Sequence, residues 1–222
     1  MINTLDDYIC CSMPRWGDFT TNPNLRKKVD DTGKLLPFVG NTAVFLLDDE
    51  SKEKLRHLQE ELYRAAPDML AQPLQMSTFH MTLHDLANGT PGQPGLDDYM
   101  RYAQEKASQI LSGWKETPPL RMKTSWLFNM VNTSIVLGLK PADGESWRRL
   151  DEMYTALEDV AALGYALTPH ITVAYFLPGT YTREQVQRLC AALRGVDMEI
   201  TLDMKNLVLQ KFWDMNHYET VL

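Results

Sequence analysis

The chain has 222 residues, with 22 Lys and Arg against 29 Asp and Glu, for a formal charge of −7. That length suits one domain with a sizeable core. The acidic balance argues against gripping a long nucleic-acid duplex, which leans on many phosphate contacts. Three cysteines, Cys10, Cys11 and Cys190, make no disulfide framework and read as reduced thiols in a cytoplasm. The first residues lack a signal-peptide pattern, and no apolar run approaches the ~20 residues of a membrane helix.

Residues 1–40 read as an irregular arm, punctuated by Pro14, Gly17, Pro23, Gly33, Pro37 and Gly40. Arg15, Trp16 and Phe19, then Arg26, Lys27 and Lys28, allow two readings. The arm folds over a groove, offering Trp16 to a base and cations to a phosphate, or it packs on the body through its aromatics. Residues 42–47 form a compact apolar strand. Asp48, Asp49 and Glu50 then open a helix to about residue 66, acidic at its N-terminus and with Leu55, Leu58 and Leu62 at helical spacing. A strand over 79–86 follows, then a turn-rich loop over 88–94 and a helix over 97–112. Residues 120–130 and 133–139 read as two strands joined by a turn near Val131 and Asn132. Trp126 and Phe128 share a face of the first, either as a shelf for a base or as core. A helix over 144–163, a strand over 169–176, a helix over 182–193 and strands over 198–202, 206–212 and 217–222 complete the chain.

Two of these strands carry the same motif, Phe79-His80-Met81-Thr82-Leu83-His84 and Pro169-His170-Ile171-Thr172-Val173-Ala174. Residues two apart in a strand share a face. His80 and Thr82 therefore point one way and Met81 and Leu83 the other, as do His170 with Thr172 and Ile171 with Val173. The same count puts His84 on the His80 face, two steps on. If the strands lie side by side, two imidazoles and two hydroxyls meet. One imidazole can take a proton while the other gives one, and the hydroxyls can donate to phosphoryl oxygens where charge gathers. No metal is expected, since neither an H-E-x-x-H nor a C-x-x-C spacing occurs.

From residue 42 the order is strand, helix, H-x-T strand, helix, strand, and from residue 133 it repeats. That reads as a diverged duplication of one β-α-β-α-β unit. The expected fold is α+β and bilobal, one domain over 41–222 with lobes at about 41–130 and 131–222. The two H-x-T strands face its central groove.

The paired motifs, with Pro before the second His, resemble the 2H phosphoesterases. Asp30-Asp31-Thr32-Gly33, the run Pro37-Phe38-Val39-Gly40-Asn41-Thr42 and the ending Trp213-Asp214-Met215-Asn216-His217-Tyr218 look like one bacterial branch of that superfamily, labelled a 2H phosphodiesterase domain of unknown function. The resemblance runs from about Lys28 to the C-terminus. It implies the bilobal fold, His80 and His170 as acid and base, Thr82 and Thr172 as phosphate ligands, no cofactor, and a 2′,3′-cyclic or related small phosphodiester, a nucleotide or a short RNA end, as substrate. Where the family often has a basic residue after the second motif, Ala174 and Tyr175 stand here, which favours a small substrate. His84, Tyr175, Trp126 and Trp16 are further candidate substrate contacts. The expected protein is a cytoplasmic monomer that acts without duplex nucleic acid or a membrane. RNA end ligation on the same fold and non-catalytic nucleotide binding are the alternatives.

Overall fold

The computed structural model describes Ile2, Met13 and residues 18–222. In chain order the elements are Phe19–Thr20 (β1), Val39–Leu46 (β2), Asp49–Ala65 (α1), His80–Gly89 (β3), Leu96–Ser112 (α2), Leu120–Met130 (β4), Ser134–Pro141 (β5), Gly144–Glu158 (α3), His170–Tyr175 (β6), Thr180–Tyr181 (β7), Arg183–Ala192 (α4), Glu199–Leu202 (β8), Leu207–Asp214 (β9) and His217–Thr220 (β10). Capping explains where the helices start. Asp48 accepts from the Ser51 N–H at 2.7 Å, Asp143 accepts from the Ser146 N–H at 2.7 Å, and Thr182 with Gln185 forms a capping box. The matched Asp-x-x-Ser caps of α1 and α3 are a trace of the duplication.

Eight strands form one sheet in the order β10-β9-β2-β3-β6-β5-β4-β8, with each neighbouring pair antiparallel. The expected α+β fold with two H-x-T strands at its centre is what forms. The lobes, however, do not divide at residue 130. Strand β4 leaves the first repeat to pair with β5 and β8. Strand β9 leaves the second repeat to pair with β2. Helices cross as well: α1 lies against β6, and α3 contacts β3. Each repeat therefore completes its partner's sheet. Sequence order alone misplaces such an exchange, because consecutive elements are usually neighbours.

Met81, Leu83, Ile171 and Val173 are fully buried in the main core, with helix residues such as Leu55, Leu62, Leu150 and Val186. The alternation then breaks at the same place in both central strands. Ala43 pairs with His84 and Val44 with Thr82, so Leu83 is an extra residue in β3. Ile135 pairs with Ala174 and Val136 with Thr172, so Val173 is an extra residue in β6. Both are β-bulges, which take backbone groups off the ladder. Thr42 Oγ1 donates to the His84 carbonyl at 3.0 Å, and Gln59 Nε2 donates to the Val173 carbonyl at 2.9 Å.

Two boundaries differ from the sequence reading. Helix α3 stops at Glu158 rather than near 163. The Glu158 carboxylate accepts from the Leu163 N–H at 3.0 Å and the Gly164 N–H at 3.5 Å, so the chain turns back there. Strands β1 and β7 pair with each other, and two residues give no period to read. Phe19 is buried against Phe176 and Tyr181, so the packing reading of the arm holds for this aromatic.

Gly40 sits where β2 runs between Asn88 and Phe212. A Cβ there would lie 2.4 Å from the Ala87 carbonyl oxygen and 2.5 Å from the Phe212 ring. Backbone cannot yield as a flexible side chain can. Gly40→Ala is expected to cost about 1–3 kcal/mol of stability through overpacking, measured as a lower urea midpoint. An unchanged midpoint would show that this three-strand contact is looser than those distances imply.

Candidate active site

Strands β3 and β6 pair at Met81 opposite Ile171. One residue outward in each direction of that antiparallel register sets His80 across from Thr172 and Thr82 across from His170. Side chains directly opposite lie about 4.5–5.5 Å apart at Cβ, so each imidazole neighbours the other strand's hydroxyl. All four line one pocket of about 180 Å³.

Beyond the motifs, the bulges decide what faces this pocket. After the extra residue, Asp85 on β3 and Tyr175 on β6 return to it. His84 does not. It is buried, its Nδ1 is 2.5 Å from its neighbour's carbonyl at Asp85, and its Nε2 is 3.0 Å from Glu158 Oε1. The expectation that His84 shares the His80 face is corrected, and the physical reason is the Leu83 bulge, which a count by twos cannot see.

The other expected contacts divide. Tyr175 joins the pocket, its hydroxyl donating to Met215 Sδ at 3.2 Å. Trp126 does not. It is half exposed on β4 beside Gly195, outside the residues that line the pocket. Trp16 lies outside the described residues, as do Arg15, Cys10 and Cys11.

Three pocket residues were not singled out from the motifs. Lys28 reaches in from the arm, its Nζ 5.0 Å from the Phe38 ring centre and 5.7 Å from that of Tyr175. It supplies a cation where the residues after the second motif offer none. Tyr218 of β10 sets its ring edge-on to His80, 5.2 Å between centres. Burial pushes its phenol well up, so it stays a neutral donor. Asp85 supplies the carboxylate. The signal for Lys28 was the basic run in the arm, and for Tyr218 the C-terminal segment that carried part of the resemblance. Asp85 had no such signal.

His170 Nδ1 lies 2.6 Å from the Thr168 carbonyl. A carbonyl only accepts, so Nδ1 carries hydrogen and Nε2 is left for the pocket. His80 differs: its Nδ1 is buried without a hydrogen-bond partner, although the nearby Thr78 carbonyl favours its charged form. Burial is the larger influence. It pushes His80 down to about 4, opposed by Thr78 and Asp85 and assisted by the neighbouring His170 and Lys52. It also lowers His170, opposed by Thr168 and Asp85 and assisted by Lys28. Both residues are only partly buried, and both line the pocket.

No family model matches the sequence, and no curated protein does. Among solved structures the chain is similar to ATU0111 from Agrobacterium tumefaciens, a conserved protein of unknown function, at 17% identity and a TM-score of 0.62 over 92% of this chain and 93% of that one. Two others are TT0787 of Thermus thermophilus, 14% identical with a TM-score of 0.47 over 82% and 94% of the two chains, and E. coli LigT complexed with ATP, 14% identical with a TM-score of 0.48 over 84% and 96%. The chain shares its fold with ATU0111, and its twin H-x-T strands lie at the centre of an exchanged two-lobe sheet.

The two pocket charges act on the histidines with opposite sign. Asp85→Asn is expected to lower the titration midpoints of both His80 and His170, because its charge favours both imidazolium forms. Lys28→Gln is expected to raise that of His170. Proton NMR of the ring C–H signals measures each. Shifts in the same direction from both substitutions would contradict this electrostatic arrangement.

Proposed function

We propose that the chain is a phosphodiesterase that hydrolyses a 2′,3′-cyclic or related small nucleotide phosphodiester by two-histidine acid–base catalysis. The observation that carries this reading is the register that sets His80 against Thr172 and Thr82 against His170. Two proton carriers and two hydroxyl donors then surround one phosphorus, with Lys28 and Tyr218 beside them.

In this mechanism the Thr82 and Thr172 hydroxyls donate to the non-bridging oxygens, and Lys28 offsets their charge. One imidazole, neutral at Nε2, takes a proton from water as the water oxygen bonds to phosphorus. The P–O bond to one ribose oxygen breaks, and the other imidazole gives that oxygen its proton. The product is a phosphomonoester with a free hydroxyl beside it. Pseudo-symmetry makes either ring fit either part, and the orientation of the diester decides.

Desolvation sets the pH behaviour. The free enzyme needs one neutral and one protonated imidazole, and both groups are lowered, His80 to about 4. At pH 8 almost every molecule lacks the catalytic proton. As pH falls from 8 toward 6 that proton returns, so kcat/KM, which reports the free enzyme, is expected to rise over that interval. The diester itself does not titrate there. A kcat/KM that climbs toward pH 8 would contradict the assignment.

Turnover of 2′,3′-cyclic AMP tests the reading directly. His80→Ala and His170→Ala are each expected to lose about 10²–10⁴ in rate. The double variant should lose little more, because groups acting as a unit are not additive. Absence of turnover in the parent on any cyclic nucleotide, or a double loss equal to the product of the single ones, would sink the proposal.

A further inference from the structure

The phosphate pocket, at about 180 Å³, is smaller than the ~300–1,000 Å³ of ligand pockets. A nucleotide held there must extend beyond it, and two grooves adjoin. One, of about 420 Å³, shares Thr82, Asp85, Met130 and His170 with the phosphate pocket and runs on past Tyr154 and Tyr165. The other is polar and more open, and meets the phosphate pocket only at Thr78 and Tyr218.

We propose that the first groove is the nucleobase subsite of a nucleotide substrate, a proposal that rests on the phosphodiesterase reading above. Continuity is the first argument. A substituent on a phosphorus held by His170 and Thr82 enters this groove directly, since those side chains form its near wall. Surface chemistry is the second. Tyr165 is 61% exposed, while Tyr154 is buried with its hydroxyl donating to the Tyr165 carbonyl at 2.6 Å, so the Tyr165 ring with Leu163 gives the groove an apolar slot. Such a slot suits a planar heteroaromatic ring, which stacks on an aromatic side chain.

The floor of the groove also limits what the base can say. His84 bonds Glu158 and the Asp85 carbonyl, and Glu158 also takes the Leu163 N–H. Groups already paired with one another have little left to read a base edge. At the rim, Val131 holds φ 44, a left-handed conformation unfavourable for a β-branched residue. Asn22 fixes that turn, bonding the carbonyls of Val131 and Asn132 at 3.3 and 2.9 Å. Strain retained at the mouth of a groove fits a built site.

The test is calorimetry with adenosine 3′-monophosphate, ribose 3-phosphate and inorganic phosphate, on the parent and three variants. Tyr165→Ala is expected to weaken the nucleotide about tenfold and to leave the other two ligands unchanged. Leu163→Trp, which fills the slot, should do the same. Trp213→Ala, in the polar groove, should change nothing. The proposal is overturned if Tyr165→Ala and Leu163→Trp spare the nucleotide, if they weaken all three ligands equally, if Trp213→Ala alone weakens the nucleotide, or if the parent binds it no better than ribose 3-phosphate. The two readings fail separately. A parent that turns over no cyclic phosphate but shows this nucleotide-specific loss keeps the subsite and loses the reaction. A parent that hydrolyses a baseless ribose cyclic phosphate as fast as 2′,3′-cyclic AMP, with binding indifferent to Tyr165, keeps the reaction and loses the subsite.

Discussion

Each central strand must put one face into a dry core and the other into a wet, charged pocket, and a pure period of two can do so only while the pattern lasts. In β3 and β6 it lasts for four residues and is then shifted by one extra residue, Leu83 or Val173. Without the bulge, His84 and Ala174 would face the pocket. With it, Asp85 and Tyr175 do. The twofold relation of the backbone is thereby broken in chemistry. One strand brings a carboxylate that favours both imidazolium forms. The other brings an aromatic face beside which Lys28 sits, and Lys28 opposes protonation of His170. Two histidines in equivalent backbone positions are made inequivalent by the side chains just past each bulge.

Burial sets a further constraint on the chemistry. Desolvation disfavours the charged form of both imidazoles, with His80 held at about 4. A general acid without its proton is idle. An anionic diester changes that, since a negative charge within a few ångströms favours the charged form of either ring. In the proposed reaction the substrate thus helps to load the proton given to its own leaving group. This coupling suits a pocket that also carries a lysine, because Lys28 attracts an anion while adding to burial's lowering of His170.

The site's paired histidines were legible because they repeat. His80-x-Thr82 and His170-x-Thr172 are local patterns with an apolar residue between them, and the core face comes from the same count. The strands, most helices and the α+β class follow from periodicity and caps, such as Asp48 with Ser51. The features that could not be read depend on partners distant in sequence. Whether β3 carries a bulge is settled by Ala43 and Val44 across the ladder, about 40 positions away. Lys28 reaches the pocket from an arm whose spacing gives no direction. Strand β4 joins β5 for both its hairpin turn and its pairing, so a split at residue 130 cuts a unit that is continuous in space. Trp126 illustrates the reverse error: an aromatic on a strand face says nothing of which end of the sheet that strand occupies, and β4 lies two strands from the nearer H-x-T strand.

The exchange of strands bears on how a substrate enters. Two lobes joined at one boundary could open as a hinge. Here β4 completes the second half and β9 the first, while α1 lies on β6 and α3 on β3. Parting the H-x-T strands would pull buried side chains of both repeats out of one shared core, which no modest ligand affinity offsets. The groove is therefore held at fixed width, which is what two proton carriers facing one phosphorus require. Adjustment falls to elements outside the exchange: the segment from Asp18 to Lys28, which touches the Val131–Asn132 turn through Asn22 and the pocket through Lys28. That segment joins the Val131–Asn132 rim to Lys28 in the pocket by a short stretch of chain.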